Sequence, residues 1–233
     1  MLIASFPAGP FQTNCYVVAP EAGGECVIID PGMGATDSVL QVLRAQRLTA
    51  VAVLITHGHL DHVCSVTELC DRLDVPAYIH PGDRAMLSQS FDDFARLGMA
   101  DMLSELVGAD ALIEPGRVID LVDGEPVELA GLRFTPRHAP GHTPGCTLLE
   151  VPYAAAEGID RVVFSGDVLF AGSVGRTDLA EGDHPIMQRS LREVVLALPD
   201  SSAVLSGHGG QTTMARERAT NPYLQPGALG AGA

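Results

Sequence analysis

A short apolar strand that runs directly into a cluster of histidines is the feature that most limits how this chain can fold. Residues 51–55 are almost continuously apolar, which is typical of a strand covered on both faces. The sequence THGHLDH follows and holds four potential metal ligands: His57, His59, Asp61 and His62. In an extended chain, alternation turns His57 and His59 the same way, and the next two ligands face a neighbouring point. Clustered imidazoles without a metal would be poorly satisfied, so we predict a metal site that could serve two ions.

Three further potential ligands follow predicted strands later in the chain, each beside glycine. They are His142 in PGHTPG, Asp167 in FSGD and His208 in SGHGG. Glycine beside a polar residue usually marks only a turn, so each signal is weak alone. Together with the first cluster they complete a set of seven side chains able to hold two metal ions between two sheets.

Hydrophobic periodicity predicts many short strands and a few helices. The predicted strands are residues 14–18, 26–30, 51–55, 77–80, 118–121, 127–129, 132–136, 146–151, 161–165 and 203–205, and the predicted helices are 36–47, 63–73 and 186–198. No repeat or long linker divides them, so we predict one domain over residues 1–223. A helical insertion is expected at about 83–116, and residues 224–233 are expected to form a flexible tail.

Charge and cysteine content exclude several other functions. The 14 basic residues are all arginines and face 29 acidic ones, giving a formal net charge of −15. Such a chain repels nucleic acid and anionic lipid, and without lysine it supports neither Schiff-base chemistry nor a Walker-type phosphate loop. Five cysteines without a C-x-x-C pair favour reduced thiols, and no apolar stretch has the length of a membrane span. We therefore expect a cytoplasmic protein with no nucleic-acid or membrane partner.

The order of these motifs resembles that of the metallo-β-lactamase superfamily. Four segments are similar in detail to the glyoxalase II-like hydrolases: IDPG at residues 29–32, PGHTPG at 140–145, GRTD at 175–178 and SGHG at 206–209. The resemblance implies an α/β protein with an αβ/βα four-layer sandwich, in which two mixed β-sheets pack face to face and helices cover both outer faces.

The resemblance also implies a ligand set. It assigns His57, His59 and His142 to one metal. It assigns Asp61, His62 and His208 to the other, and places Asp167 as a bridge. Asp30 would be a buried carboxylate that steadies the histidine loop. The cofactor is expected to be two divalent ions, most simply zinc, with iron or manganese as alternatives.

The implied activity is hydrolysis of a small thioester of the hydroxyacyl-thiol type by metal-bound hydroxide, with Asp61 and Asp167 as catalytic residues. A departing thiolate needs no protein acid, since a thiol has a pKa of about 8.5. Because lysine is absent, the carrier thiol stays open, whether glutathione or another. Arg176, in the GRTD segment, either binds substrate or forms a salt bridge with a nearby acid such as Asp178. Cys64 either packs on the helix or acts as a redox sensor.

Three other functions remain to be weighed. A persulfide dioxygenase would use one iron held by His57, by His142 or a neighbour, and by Asp167. A lactonase would use the same ligands with a differently shaped pocket. A binding module without activity is disfavoured, because all seven ligand positions are filled.

Overall fold

Two six-stranded mixed sheets form the structure, a computed structural model that describes residues 1–88, 113–153 and 158–229. The first sheet contains, in spatial order, β1 (Leu2–Ala8), β2 (Thr13–Ala19), β3 (Glu25–Ile29), β4 (Thr49–Leu54), β5 (Ala77–Ile79) and β6 (Val118–Asp120). Strands β1 to β3 pair antiparallel, and β3 to β6 pair parallel. The parallel half carries the buried strand that leads to the histidine cluster.

The second sheet is mostly antiparallel. Its strands are β7 (Val127–Leu129), β8 (Leu132–His138), β9 (Thr147–Pro152), β10 (Arg161–Gly166), β13 (Ser202–Ser206) and β14 (Thr212–Thr213). They lie in the order β14-β13-β10-β9-β8-β7, and the pair β10–β13 is parallel. A small hairpin, β11 (Leu169–Phe170) with β12 (Ser173–Val174), follows β10.

Along the sequence, helices follow several strands of both sheets. They are α1 (Thr36–Gln46), α2 (Leu60–Val63), α3 (Val66–Leu73), α4 (His184–Ser190), which continues as a π-helical turn (Leu191–Val195), α5 (Met214–Thr220) and a 3₁₀ turn (Pro222–Leu224). Among the described residues, none of the helices has both the length and the apolar character needed to cross a membrane.

Three apolar clusters define four layers. The central cluster lies between the sheets and joins residues such as Ile29 and Leu54 of the first sheet to Phe134 and Phe164 of the second. A second cluster packs α1 and α3 on the outer face of the first sheet, and a third packs α4 and its π-helical extension on the outer face of the second. The predicted αβ/βα sandwich is confirmed.

Alternation explains why the strands read as continuous apolar runs. In β4, Leu54 faces the central cluster, while Val53 faces the helix-covered side. In β10, Phe164 and Val163 divide in the same way between the central cluster and the outer one. A strand buried on both faces gains from apolar residues at every position, so these strands lack the polar alternation of a half-exposed sheet.

Several sequence-based boundaries need correction. The helix predicted at 63–73 starts at Val66, and the short helix α2 (Leu60–Val63) that precedes it was not predicted. Strand β1 and helix α5 were not predicted. The predicted tail begins too early, since Leu224 and Leu229 are buried in the outer cluster of the second sheet. Of the predicted helical insertion, residues 89–112 lie outside the described part, and one domain over 1–223 stays a prediction.

Candidate metal centre

The predicted ligands lie on loops or helix starts that follow strands. His57 and His59 follow β4, and His142 lies between β8 and β9. Asp61 and His62 lie in α2, Asp167 follows β10, and His208 follows β13. Because β10 and β13 are parallel, with Gly166 opposite Ser206, the chain leaves both at the same edge. A hydrogen bond from Thr147 N to Thr56 O, 2.9 Å long, joins the two sheets beside β4. The topology therefore brings loops from both sheets to one place.

Two ligand groups share this place. The all-histidine half-site consists of His57, His59 and His142, and the carboxylate half-site consists of Asp61, His62 and His208. Within each group the potential ligand atoms lie within 4.8 Å of one another. The groups adjoin, because the rings of His57 and His62 have centroids 4.1 Å apart.

Asp167 lies between the half-sites. Its Oδ1 is 3.3 Å from His62 Nε2, and its Oδ2 is 3.4 Å from His208 Nε2 and 3.7 Å from His142 Nε2. A Cβ at Gly207 would lie 2.2 Å from Asp167 Oδ1, so the SGHG segment requires glycine here for close approach. All seven sequence-predicted ligands thus meet in one cluster.

Unpartnered atoms test whether this cluster fits metal ions. In the described residues, buried polar atoms without a hydrogen-bond partner of acceptable geometry include Nε2 of His62, Nε2 of His142 and Oδ1 of Asp167. Orphaned atoms of this kind are rare in folded proteins and call for an explanation. Imidazole nitrogens and a carboxylate oxygen are ligands for divalent transition metals, so the donor set fits such ions.

The electrostatics of the two half-sites differ. Burial lowers the pKa of His57 and lowers that of His59 to about 3, so both rings are unprotonated at neutral pH. Burial opposes protonation of His62 too, yet Asp61 and Asp167 outweigh it and raise its pKa well above the ordinary value. His208 has its pKa raised to about 9 by the same two carboxylates.

The outer ring nitrogens are held by groups outside the cluster. His62 Nδ1 donates to Asp30 Oδ2 over 3.0 Å, and the same carboxylate accepts from the backbone and hydroxyl of Thr56. His142 Nδ1 donates to the carbonyl of Arg176 over 2.7 Å, and His208 Nδ1 donates to that of Phe11 over 3.1 Å. These bonds fix each ring and direct Nε2 toward the cluster. Asp30 thus lies beside the histidine loop.

Some of these contacts were not predicted. Backbone carbonyl acceptors carry no sequence signal, so the roles of the Phe11 and Arg176 carbonyls could not be read from side chains. Thr13, buried in β2, donates from Oγ1 to Asp61 Oδ2 over 2.8 Å. A lone threonine in a strand is too common to be identified as a partner of a ligand.

The two open residue assignments can now be placed. The guanidinium of Arg176 forms a two-point ion pair with Asp178, each bond 2.7 Å long, and both side chains are exposed. Its carbonyl, rather than its side chain, touches a predicted ligand. The thiol of Cys64 is buried. Burial, and to a lesser extent the negative charge of Glu68, raises the pKa of this thiol to about 12, which favours packing over redox sensing.

Comparison with known proteins gives the class that this fold and cluster define. A family profile described as the metallo-beta-lactamase superfamily matches residues 8–208. The chain belongs to this superfamily of metal-dependent hydrolases.

Particular relatives narrow the comparison. Hydroxyacylglutathione hydrolase GloC of Haemophilus influenzae is 34% identical over 225 residues, covering 96% of this chain and 98% of GloC. The structure of the BLEG-1 B3 metallo-beta-lactamase is 33% identical with a TM-score of 0.81, covering 97% of this chain and 100% of that one. TTHA1623, crystallised in a di-iron-bound form, is 35% identical with a TM-score of 0.74, covering 96% and 100%.

Proposed function

We propose that this protein is a two-metal hydrolase that cleaves small thioesters of the hydroxyacyl-thiol type. The observation that carries the proposal is the convergence of seven ligand side chains, four of which have a buried atom without a hydrogen-bond partner in the described residues: Nε2 of His59, His62 and His142, and Oδ1 of Asp167. The name of the GloC relative supports the substrate class. The five free, buried cysteines support a reducing, cytoplasmic location.

In this proposal the all-histidine half-site would hold one divalent ion and the carboxylate half-site the other, with Asp167 between the two groups. Histidine and carboxylate donors suit zinc, iron or manganese, and the similar TTHA1623 was crystallised with two irons. When bound, such a pair of ions lowers the pKa of a shared water toward neutrality and polarises a carbonyl oxygen.

The chain's own residues then hold this arrangement in place. Asp61 and Asp167 are the catalytic carboxylates, because they supply the negative charge that offsets two neighbouring cations. Thr13 holds Asp61, and Asp30 holds His62, each by a hydrogen bond to an atom of the ligand side chain. The side chains that touch the reacting centre are therefore fixed before substrate arrives.

The three described histidines outside the cluster have contacts of their own. Of the other described histidines, His138 stacks on His80 with ring centroids 3.9 Å apart and its Nε2 donates to the Pro144 carbonyl. His184 lies 3.4 Å from Thr177 Oγ1 at the start of α4. Neither belongs to a ligand group. A leaving group that departs as a stable anion suits such a site, and a thiolate is one.

The test compares one hydroxyacyl group carried on sulfur, oxygen and nitrogen by the metal-loaded enzyme. Without a general acid, the alkyl oxygen ester should react about 10²–10⁴-fold more slowly than the thioester, and the amide more slowly still. The thioester rate should rise through the pKa of the bound water, near 7 for a zinc site. It should show no falling limb below about pH 9.

Controls separate this function from its competitors. Chelated protein should be inactive, and activity should return with added Zn²⁺, Fe²⁺ or Mn²⁺. Equal rates on thioester and alkyl ester would reveal a proton donor and contradict the leaving-group argument. Oxygen uptake with glutathione persulfide and no thioester turnover would replace hydrolysis by dioxygenation. Faster cleavage of a β-lactam or a lactone than of any thioester would leave the metal site but overturn the substrate class.

A further inference from the structure

A buried carboxylate outside the ligand cluster joins two ligand-bearing loops. Asp83 is fully buried, and its Oδ2 accepts hydrogen bonds from Gly58 N over 2.9 Å and from Thr143 Oγ1 over 2.6 Å. Its Oδ1 accepts from Gly145 N over 2.6 Å. Gly58 lies between His57 and His59, and Thr143 follows His142. One side chain therefore bonds to both loops of the all-histidine half-site. It reaches the segment that also carries Asp61 and His62 only at Gly58, and it does not bond to the strand ends that carry Asp167 and His208.

Burying this group has a cost that its environment offsets. A carboxylate removed from water is unfavourable unless hydrogen bonds replace its hydration. Three donors do so here, and burial still raises the pKa of Asp83. A Cβ at Gly145 would lie 2.6 Å from Asp83 Cγ, so the loop approaches the carboxylate as closely as glycine allows. A contact this tight and this buried orders the residues on both sides of it.

The geometry it orders is that of the three rings. His59 and His142, from different loops, have ring centroids 4.5 Å apart, and His57 and His142 have centroids 4.9 Å apart. In the described residues these ring pairs share no hydrogen bond, so the distance between the rings depends on how the two loops are held. Asp83 supplies three bonds for that purpose.

We propose that Asp83 is a positioning residue that holds the His57–His59 loop against the His142 loop and thereby sets the metal affinity of the all-histidine half-site. The inference rests on the proposed two-metal site and not on the substrate. In the described residues Asp83 hydrogen-bonds to Gly58, Thr143 and Gly145 and not to a ligand ring, so its effect should be largest at the all-histidine half-site.

The experiment measures Zn²⁺ affinity by competition with a chelating indicator. Wild-type protein should bind two Zn²⁺ per chain, and H59A and H208A identify which binding step belongs to which half-site. In D83N one acceptor oxygen becomes an NH₂ donor facing an N–H, so we expect the step assigned by H59A to weaken about 10–100-fold. The step assigned by H208A should keep its affinity within about twofold.

Matched variants make the result specific. D30N, whose carboxylate bonds to His62, should weaken the other step instead, and D71N, an exposed aspartate on α3, should change neither. If D83N does not fold, T143V removes a single donor and should weaken the same step about 2- to 10-fold, while T143S restores it.

The outcomes distinguish this inference from the proposed function. Equal weakening of both steps, or unchanged affinity in D83N and T143V, would overturn the role of Asp83 while leaving a two-metal enzyme. Fewer than two Zn²⁺ per wild-type chain would overturn the two-metal proposal itself, and this inference with it.

Discussion

Imidazoles in the two halves of the metal centre are held in opposite protonation states, with His57 and His59 in one half and His62 and His208 in the other. In the all-histidine half-site, burial keeps His57 and His59 unprotonated, and their positioning comes from neutral groups and from Asp83 behind the loops. In the carboxylate half-site, His62 and His208 lie beside Asp61 and Asp167, and these carboxylates raise the pKa of both rings. His57 and His59 therefore offer free lone pairs to a metal ion. In the carboxylate half-site, protons on His62 and His208 neutralise the charge of the carboxylates.

This difference predicts which half-site releases protons when a metal ion binds. An ion entering the all-histidine half-site meets ligands that are ready to bind. An ion entering the carboxylate half-site must displace protons, because an imidazolium cannot coordinate. His62 and His208 lie within 3.6 Å of Asp61 Oδ2, so in the absence of metal the protons occupy the place that a cation would take.

Asp167→Ala should be the most damaging single change, because it removes the group that both halves share. Its oxygens lie within 4 Å of three imidazoles, so its loss leaves two cations without their common counter-charge. Breaking a buried charged contact of this kind costs about 3–5 kcal/mol. A loss of that size in transition-state stabilisation corresponds to about 10²–10⁴-fold in kcat/KM.

Metal content per chain and kcat/KM, measured beside H59A and H208A, check this prediction. We expect D167A to lose both ions, or one ion with only residual hydrolysis, and to be worse than either histidine variant. Two ions per chain with near-normal turnover in D167A would mean that the two halves are independent.

The first four candidate ligands could be predicted because their signal is local. His57, His59, Asp61 and His62 lie in one short segment after a buried strand, and side chains of these types have few other reasons to cluster. The other three candidates gain weight only from the order of the motifs along the chain. The strands and helices followed from hydrophobic periodicity, whereas the layer architecture was implied by the motif resemblance.

Apart from Asp30, which the resemblance implied, the residues that hold the candidate ligands could not be predicted because their partners are distant in the sequence. Asp83 lies in a turn and is separated by 60 residues from Thr143, so nothing beside it marks its role. The carbonyl of Phe11 lies 197 residues from His208, and carbonyl acceptors have no residue identity. Glycine and alanine around Leu229 predict a flexible tail, yet Leu229 is buried and Gln188 and Arg192 donate hydrogen bonds to the carbonyls of Ala228 and Leu229.

The pH dependence of Zn²⁺ affinity should differ between the two half-sites. Below about pH 9 His208 carries a proton that a metal ion must displace, so Zn²⁺ affinity at the carboxylate half-site should rise with pH. Between pH 6.5 and 8.5 we expect about tenfold per pH unit for each proton displaced. His57 and His59 have no proton to lose in this range, so affinity at the all-histidine half-site should change much less.

Calorimetric titration with Zn²⁺ in two buffers of different ionisation enthalpy counts the protons released at each step. H208A should release fewer protons at the carboxylate step and leave the other step unchanged. Proton release shared equally by both steps would contradict the assignment of charge to one half.

The smallest expected effect concerns the metal-free protein. A folded pKa raised above the unfolded value near 6.5 means that the folded chain retains protons on His62 and His208 that the unfolded chain releases. This stabilisation is complete below pH 6.5 and is lost as the pH rises toward about 9. The lowered pKa of His57 destabilises the folded protein as the pH falls, but only below pH 6.5, where the unfolded ring is protonated.

Between pH 6.5 and 7.5, below the pKa of about 8.5 at which unfolded cysteines ionise, the chelated protein should therefore lose stability, with a fall in Tm of a few degrees. H208A should show a flatter dependence, because it removes one of the two rings responsible. Added Zn²⁺ should reverse the trend in the wild type, since metal binding strengthens over the same range. A Tm of the chelated protein that rises from pH 6.5 to 7.5 would mean that the carboxylates do not hold these protons, and the contrast between the half-sites would then rest on geometry alone.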